Sequence, residues 1–343
     1  METRKLQEVG GGSFTVTIPK EWARSHGFNV GMELQLYTHR DGSFLVRSSD
    51  ADVACLDDAT IDIDRGGAEA AQRAIRTAHA VGFNAITLRR TGAFSDAERK
   101  AVRSTVRDLV GTNILSETDA EITIKHLLDT TSIPICQSIV QLRYVVVSLL
   151  RDAVEAVVDA ADTRTRVHDR AEEARRSVGM ITRHFSRSLI SHVSHAELDA
   201  LDVSRPELFT YYAIARRLEA VTDQAVLIAR AGERLAERPP DGAAADVCSV
   251  ADDVACAVDN AVTAALNGDT TKARDARGRC DDAVQAIETL ERRLYDGAVS
   301  ASIPAVVALS TTLSHLRRTA DCGRHMSDTA ARAAICAENI GSD

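Results

Sequence analysis

The segment Gly10–Trp22, with the sequence GGGSFTVTIPKEW, most strongly limits how this chain can fold. Its three glycines predict a turn, and the alternating residues after them place Phe14, Val16 and Ile18 on one face of a strand. Pro19 ends that strand and fixes a backbone angle suited to the first turn of a helix. The sequence therefore predicts a turn, a strand and a short helix in immediate succession.

Two more extended runs follow this segment, at 33–37 and 43–47. The residues Arg40-Asp41-Gly42 lie between them, and Asp-Gly between two strands favours a tight hairpin. A module of about 50 residues buries too little apolar surface to be stable alone. We therefore expect this module to pair with a second copy or to pack on another domain.

This pattern resembles the AbrB/SpoVT family of swapped-hairpin DNA-binding domains over residues 1–48. The similar residues are the predicted first strand Arg4-Lys5-Leu6-Gln7, the Gly-Ser turn, Thr15-Val16-Thr17-Ile18-Pro19-Lys20 and Trp22-Ala23. The resemblance implies that two chains interlock into one small β-barrel, which docks on DNA. It also implies that the cations beside the first strand and the Pro19 turn contact DNA, namely Arg4, Lys5, Lys20 and Arg24.

Charge is distributed unevenly along the 343-residue chain, whose net charge is −9. Residues 1–50 contain six basic and six acidic side chains, so the whole negative excess lies in residues 51–343. An acidic surface does not attract DNA. Any DNA contact is therefore expected in the N-terminal module.

Composition also indicates where the protein works. No apolar run is long enough for a signal peptide or a membrane span, and the seven cysteines show neither metal-ligand nor disulfide spacing. Only five residues are lysine and Asp outnumbers Glu, a composition that resembles proteins of the salty cytoplasm of haloarchaea. We expect a cytoplasmic protein in a reducing compartment, without membrane insertion.

Residues 52–130 predict a small α/β unit. Alternating and apolar runs predict strands at 59–64, 83–88, 113–118 and 121–127, with helices at 68–81 and from Ser95 to about 110. Ser95 and Glu98 have the spacing of a capping box. No phosphate-binding loop is expected, because the N-terminal glycine run lacks the Gly-Lys-Ser/Thr ending.

After Pro134, apolar residues recur at helical spacing to the end of the chain. The predicted helices span 134–161, 164–192, 205–237, 243–267, 270–297 and 303–338. The Pro239-Pro240 pair divides residues 131–340 into two sets of three, 131–238 and 243–340, which suggests an internal duplication. The predicted fold is thus multidomain and mainly α, with an N-terminal swapped-hairpin β module, a small α/β unit and two three-helix bundles.

The third helix of the first set carries Glu219 and Asp223, which lie about one turn apart on one face. Two carboxylates this close repel each other unless they share a cation, and a hard metal ion with oxygen ligands would serve. The spacing alone favours a solvated helix edge on which Arg216 pairs with Glu219. A metal site is the alternative interpretation.

Two three-helix units, each with a Leu-Glu-x-x-x-Asp type of string in the last helix, resemble the PhoU family of phosphate-signalling regulators over about residues 130–340. The resemblance implies a divalent or iron-type metal ion on the bundle surface at Glu219 and Asp223. In the second string only Asp321 matches, because Arg317 stands where the family has Glu. The resemblance also implies a brake on phosphate uptake, exerted on DNA or on the ATPase of the phosphate transporter.

The leading hypothesis is a non-enzymatic, homodimeric regulator of phosphate uptake and homeostasis that binds DNA through the hairpin module. In the alternative, the hairpin module only dimerises and the chain regulates the transporter through protein contacts. A metal-dependent enzyme using Glu219 and Asp223 is disfavoured, since no nucleophile or acid–base set accompanies them. A zinc site at His192, His195 and Glu197 is a weaker alternative, because only the two histidines show ligand spacing.

Overall fold

The computed structural model describes residues 3–10, 12–38, 44–48, 56–127, 134–159, 163–190, 194–233, 235 and 237–340. The chain divides into two compact units, Met1–Cys55 and Leu56–Asp343. Helices dominate the second unit, which confirms the expected mainly α fold with a small N-terminal β module. None of the described helices combines the length and the apolar character needed to cross a membrane.

The first unit contains two small antiparallel strand pairs. Strand β1 (Gln7–Val9) pairs with β2 (Ser13–Thr15), and β3 (Leu34–Thr38) pairs with β4 (Phe44–Ser48). The second pair is the hairpin that the Asp-Gly signal predicts, although Arg40-Asp41-Gly42 themselves lie outside the described residues.

The first two strands differ from their predicted bounds. β1 begins at Gln7, where the predicted strand ends, and β2 ends at Thr15 rather than at Ile18. Because the pairing starts with Gln7 opposite Thr15, the residues that follow have no opposing residue in this pair of strands. Helix α1 (Lys20–Ser25) starts directly after Pro19, which has no N–H to donate to a strand.

The second unit opens with the small α/β layer that the sequence predicts. Its elements are β5 (Asp58–Asp62), α2 (Gly67–Val81), β6 (Ala85–Arg89), α3 (Asp96–Asp108), β7 (Thr112–Glu117) and β8 (Glu121–His126). The strand order is β5-β6-β8-β7; β5 and β6 are parallel, and the other two pairs are antiparallel. Ser95 and Glu98 form the predicted capping box at the start of α3.

The helices and the sheet of this layer share one apolar core. Ile75 of α2 and Val102 of α3 are completely buried in it, together with Leu88 of β6. Ile122 and Ile124 alternate along β8 and point into the same core. The alternation that predicted these strands therefore marks their buried face.

The rest of the second unit is helical. Its helices are α4 (Ile135–Val158), α5 (Arg164–Ser188), α6 (Ser194–Leu201), α7 (Arg205–Gly232), α8 (Asp241–Asn267), α9 (Thr270–Tyr295) and α10 (Ile303–Ile340). The sequence predicts six of these seven described helices. It misses α6, because eight residues carry too little periodicity to separate a helix from a break.

The two predicted sets of three helices share a single apolar core. α5 packs on α4 and α7, and α9 packs in the same way on α8 and α10, as an internal duplication predicts. The third helices, α7 and α10, also pack against each other. At Gly232 of α7 the approach to α4 is so close that an added Cβ would lie 2.5 Å from the carbonyl oxygen of Ala156.

Candidate functional site

The four cations predicted to contact DNA are all exposed: Arg4, Lys5, Lys20 and Arg24. Lys20 and Arg24 lie four residues apart on α1, which places them on one face of that helix. Arg4 lines an open groove together with residues 16–18, Pro19 and Trp22. The structure therefore brings Arg4 to the same groove as the start of α1.

The first unit buries none of its described side chains. Phe14 is 71% exposed and Trp22 is 43% exposed, although both are large and apolar. The Trp22 ring stacks on His26 with centroids 4.5 Å apart, and Phe28 lies 5.3 Å away. Apolar exposure of this extent is typical of a surface that a partner covers.

Glu219 and Asp223 on α7 each face an arginine. Arg216, one turn earlier on the same helix, donates to Glu219. Arg175 of α5 donates to Asp223 at 3.2 Å and to Glu172 of its own helix at 2.9 Å. Guanidinium groups therefore neutralise both carboxylates, and one of these groups links α5 to α7.

The second helix set inverts these charges. Asp321 of α10 accepts from Arg324 at 2.9 Å. Arg317 donates across to α9, to Glu288 at 3.2 Å and to Glu291 at 2.8 Å. Arg317, which stands where the family has Glu, therefore joins α10 to α9. Here the cation lies on the third helix of the set, whereas in the first set Arg175 lies on the second helix.

The carboxylates do not fit a metal ion in this arrangement. Among the described residues, no three His, Cys, Asp or Glu side chains converge into a ligand group. A metal at Glu219 and Asp223 would have to displace Arg216 and Arg175, whose positive charges oppose a second cation. The metal site at these two residues and Asp321 stays a prediction.

Glu197, one member of the alternative zinc set, has two other partners. Its carboxylate lies 2.5 Å from Nδ1 of His184 and accepts from Nε of Arg187 at 2.7 Å. Burial alone would raise the pKa of Glu197, but the hydrogen bonds from His184 and Arg187 hold that pKa below its usual value. His192 and the side chain of His195 lie outside the described part of the chain.

Sequence reasoning missed the buried polar cluster to which Glu197 belongs. This cluster joins α2, α5 and α6 and contains His79, Arg183, His184, Arg187 and Glu197. Arg183 and the carbonyl oxygen of His79 that it binds are 104 residues apart in sequence. No local signal marks this cluster, because α5 carries charged residues along its whole length.

A protein-family model described as "Antidote-toxin recognition MazE, bacterial antitoxin" matches residues 7–52. Comparison with curated proteins gave no match. The chain is similar to the crystal structure of the phosphate transport system regulatory protein PhoU from Streptococcus pneumoniae, with 17% identity and a TM-score of 0.43, over 58% of this chain and 92% of that one. It is also similar to PhoU from Pseudomonas aeruginosa, with 19% identity and a TM-score of 0.44, over 58% and 94% of the two chains. The chain is thus MazE/AbrB-like in sequence at its N-terminus and structurally similar to PhoU proteins.

Proposed function

We propose that this chain is a homodimeric regulator of phosphate uptake and homeostasis that binds DNA through its N-terminal unit. The surface of that unit carries the proposal, because exposed apolar side chains lie beside exposed cations. None of the described side chains of this unit is buried. Its exposed apolar surface therefore suits contact with a second copy of the same unit. The cations Arg4, Lys5, Lys20 and Arg24 suit the phosphate backbone of DNA.

The charge distribution supports DNA contact at this unit and not elsewhere. Residues 1–50 have a net charge of zero, while the remaining residues carry the whole excess of −9. A dimer doubles the number of cations that can reach one duplex. Because these contacts are electrostatic, we expect the DNA affinity to fall steeply as salt is added.

The helical part supplies regulation in this proposal. The sequence resemblance to the PhoU family supports a role in phosphate signalling, with the ATPase of a phosphate transporter or a related signalling protein as a partner. Binding of a partner or ligand to the helices would then alter DNA binding. A divalent or iron-type ion at Glu219 and Asp223 could be such a ligand only after Arg216 and Arg175 move away.

DNA binding by the full chain and by the compact fragment Leu56–Asp343 tests this function. A labelled duplex from the region upstream of the protein's own gene is titrated with each protein, at low and at molar salt, and fluorescence anisotropy is recorded. The full chain should bind and the fragment should not. Equal binding by both proteins would show that the DNA site lies outside the N-terminal unit. No binding by the full chain would contradict DNA binding as the function.

A second candidate function is supported by the family that matches residues 7–52, which is described as recognising a toxin. In this alternative the N-terminal unit dimerises and binds a protein, and the chain regulates the transporter through protein contacts. The zero net charge of residues 1–50 favours it, because DNA-binding modules are usually basic. A stable dimer that binds no duplex at any salt concentration would support it.

A further inference from the structure

Asn84 connects two separate parts of the second unit. Its side-chain oxygen accepts from Arg183 and from Arg187 of α5, both at 3.3 Å. Its backbone N–H donates to the carbonyl oxygen of Leu56 at 2.7 Å, and its side-chain amide donates to Asp57 at 3.3 Å. Leu56 is the first residue of the second unit and directly follows the N-terminal unit in the chain.

The end of α2 holds both arginines in place. Arg183 is 3% exposed and donates to the carbonyl oxygens of His79 at 3.1 Å and Phe83 at 2.9 Å. Arg187 donates to the carbonyl oxygen of Gly82 at 2.9 Å. Carbonyl groups at the C-terminal end of a helix carry its partial negative charge. α5 therefore caps α2, and it cannot shift without breaking these bonds.

Glu197 ties α6 to one of these arginines, Arg187. It is 6% exposed and binds both His184 and Arg187 of α5. A buried carboxylate that loses its partner becomes an uncompensated charge, which strongly disfavours separation of the two helices. Glu197 of α6 is therefore connected to Asn84 by hydrogen bonds through Arg187.

Packing reinforces the same connection at Gly82. Its φ of 112° is one that glycine adopts readily. An added Cβ there would lie 2.5 Å from Cγ of Arg187 and 3.6 Å from Cδ1 of Leu56. Arg187 and Leu56 therefore both pack against Gly82, next to Asn84 and its hydrogen bonds.

We propose that Asn84 couples the corner formed by α5 and α6 to Leu56 and Asp57, at the start of the second unit. An event that moves Glu197 away from Arg187 would weaken the hold of Arg187 on Asn84, and hence the hold of Asn84 on Leu56. The effect on DNA binding rests on the proposed function, whereas the link itself does not. Such a link gives the helical part a physical route to Leu56 and Asp57.

Amide hydrogen exchange in the full chain tests the link. The reporters are the amides of Asn84 and Ala85, which donate to the carbonyl oxygens of Leu56 and Asp57 at 2.7 Å each. Substitution of Glu197, which touches neither reporter, should speed their exchange about tenfold, the effect of weakening one charged hydrogen bond in the connection. The variant is Glu197→Gln, which keeps the side-chain shape.

Glu172→Gln is the matched control, since Glu172 also pairs with an α5 arginine, Arg175, but lies outside the cluster. It should leave both reporters unchanged. Unchanged exchange in folded Glu197→Gln protein overturns the coupling. If that variant does not fold, Asn84→Ala removes the same connection while keeping the ion pairs of Glu197. It should also speed exchange at Ala85 about tenfold, and no change there overturns the coupling.

DNA affinity of the full-length variants gives a second readout. We expect Glu197→Gln to change the affinity for the upstream duplex about fivefold, the lower end of ordinary coupling between sites, and Glu172→Gln to leave it unchanged. If the parent protein binds no DNA, the proposed function fails, while the exchange rates still decide the link. Faster exchange with unchanged DNA affinity would show that the link at Asn84 exists but does not affect DNA binding. Asn84 would then have a structural role alone.

Discussion

The Arg175 guanidinium of α5 lies 3.2 Å from the Asp223 carboxylate of α7, at the position where the sequence suggested a metal ion. An arginine there supplies the positive charge that neighbouring carboxylates need. In the second helix set, Arg317 and Glu291 join α10 to α9 with the opposite polarity, at 2.8 Å. In both sets, therefore, an ion pair attaches the second helix, α5 or α9, to the third helix, α7 or α10.

Removing the arginines should improve metal binding on α7. We expect Arg175→Ala/Arg216→Ala to bind more Mn²⁺ than the parent, because Glu219 and Asp223 lose the cations that compete for them. Arg277→Ala is the control, since Arg277 pairs with the single carboxylate of Asp328, and this variant should gain little. Elemental analysis after equilibrium dialysis measures the bound metal. Equal Mn²⁺ in all three proteins would contradict a ligand role for this acidic pair.

Self-association should depend on the apolar surface of the N-terminal unit. Phe14 is 71% exposed, and covering such a ring contributes about 1.5–3 kcal/mol. We therefore expect Phe14→Ser to weaken the dimer of the full chain, as measured by light scattering at low concentration. Phe209→Ser is the matched control, because Phe209 is 53% exposed in the second unit. Dimers of equal strength in both variants would count against a dimer built by the N-terminal unit.

Acid should destabilise the second unit partly through His79. Burial, with help from Arg183, lowers the pKa of His79 from its usual 6.5 to about 3. The folded protein therefore keeps this ring neutral, while the unfolded chain takes up a proton as the pH falls below 6.5. The stabilisation is complete above that pH and is lost progressively as the pH falls towards about 3.

We expect His79→Phe to flatten this pH dependence by up to about 2 kcal/mol between pH 7 and pH 5, since each pKa unit corresponds to about 1.4 kcal/mol. Urea denaturation at the two pH values provides the free energies of unfolding. His168→Phe, at an exposed position on α5, should keep the parental pH dependence. A parental slope in His79→Phe would show that the buried ring does not titrate with unfolding.

Gly232→Ala should destabilise the helical core. An added methyl group would meet the backbone of Ala156 at 2.5 Å, and overpacking of this kind costs about 1–3 kcal/mol. Gly179→Ala in α5 is the control, because no atom lies within 4 Å of the added Cβ. That control should be more stable by about 0.5–1 kcal/mol, since alanine favours a helix interior. Thermal unfolding followed by circular dichroism distinguishes the two, and a Gly232→Ala protein as stable as the parent would show that α4 and α7 separate easily.

The features that the sequence predicts well depend on residues close to one another in the chain. Ser95 and Glu98 are three residues apart, so their capping box is visible without a tertiary structure. The long helices follow from apolar spacing in the same way. The strand predicted as far as Ile18 is too long, since β2 ends at Thr15. An alternating pattern shows which residues share a face of a strand, but it does not show which of them have a partner on a neighbouring strand.

The features that the sequence does not predict depend on residues brought together by packing. Asp223 and its partner Arg175 are 48 residues apart, and spacing on α7 alone could not distinguish an arginine from a metal ion. Asn84 and Arg187 are 103 residues apart and meet only because α2 packs on α5. The four N-terminal cations are exposed, and their contact with DNA stays a prediction.

The salt dependence of DNA binding by the full chain tests the DNA-binding proposal most directly. Each phosphate contact adds about one unit to the slope of log affinity against log salt concentration. We expect Lys20→Ala/Arg24→Ala to reduce this slope by about two for each chain that contacts the duplex, and to weaken binding to all sequences. The control Lys272→Ala/Arg274→Ala, at exposed positions on α9, should keep the parental slope. A parental slope and affinity in Lys20→Ala/Arg24→Ala would contradict DNA contact by this surface.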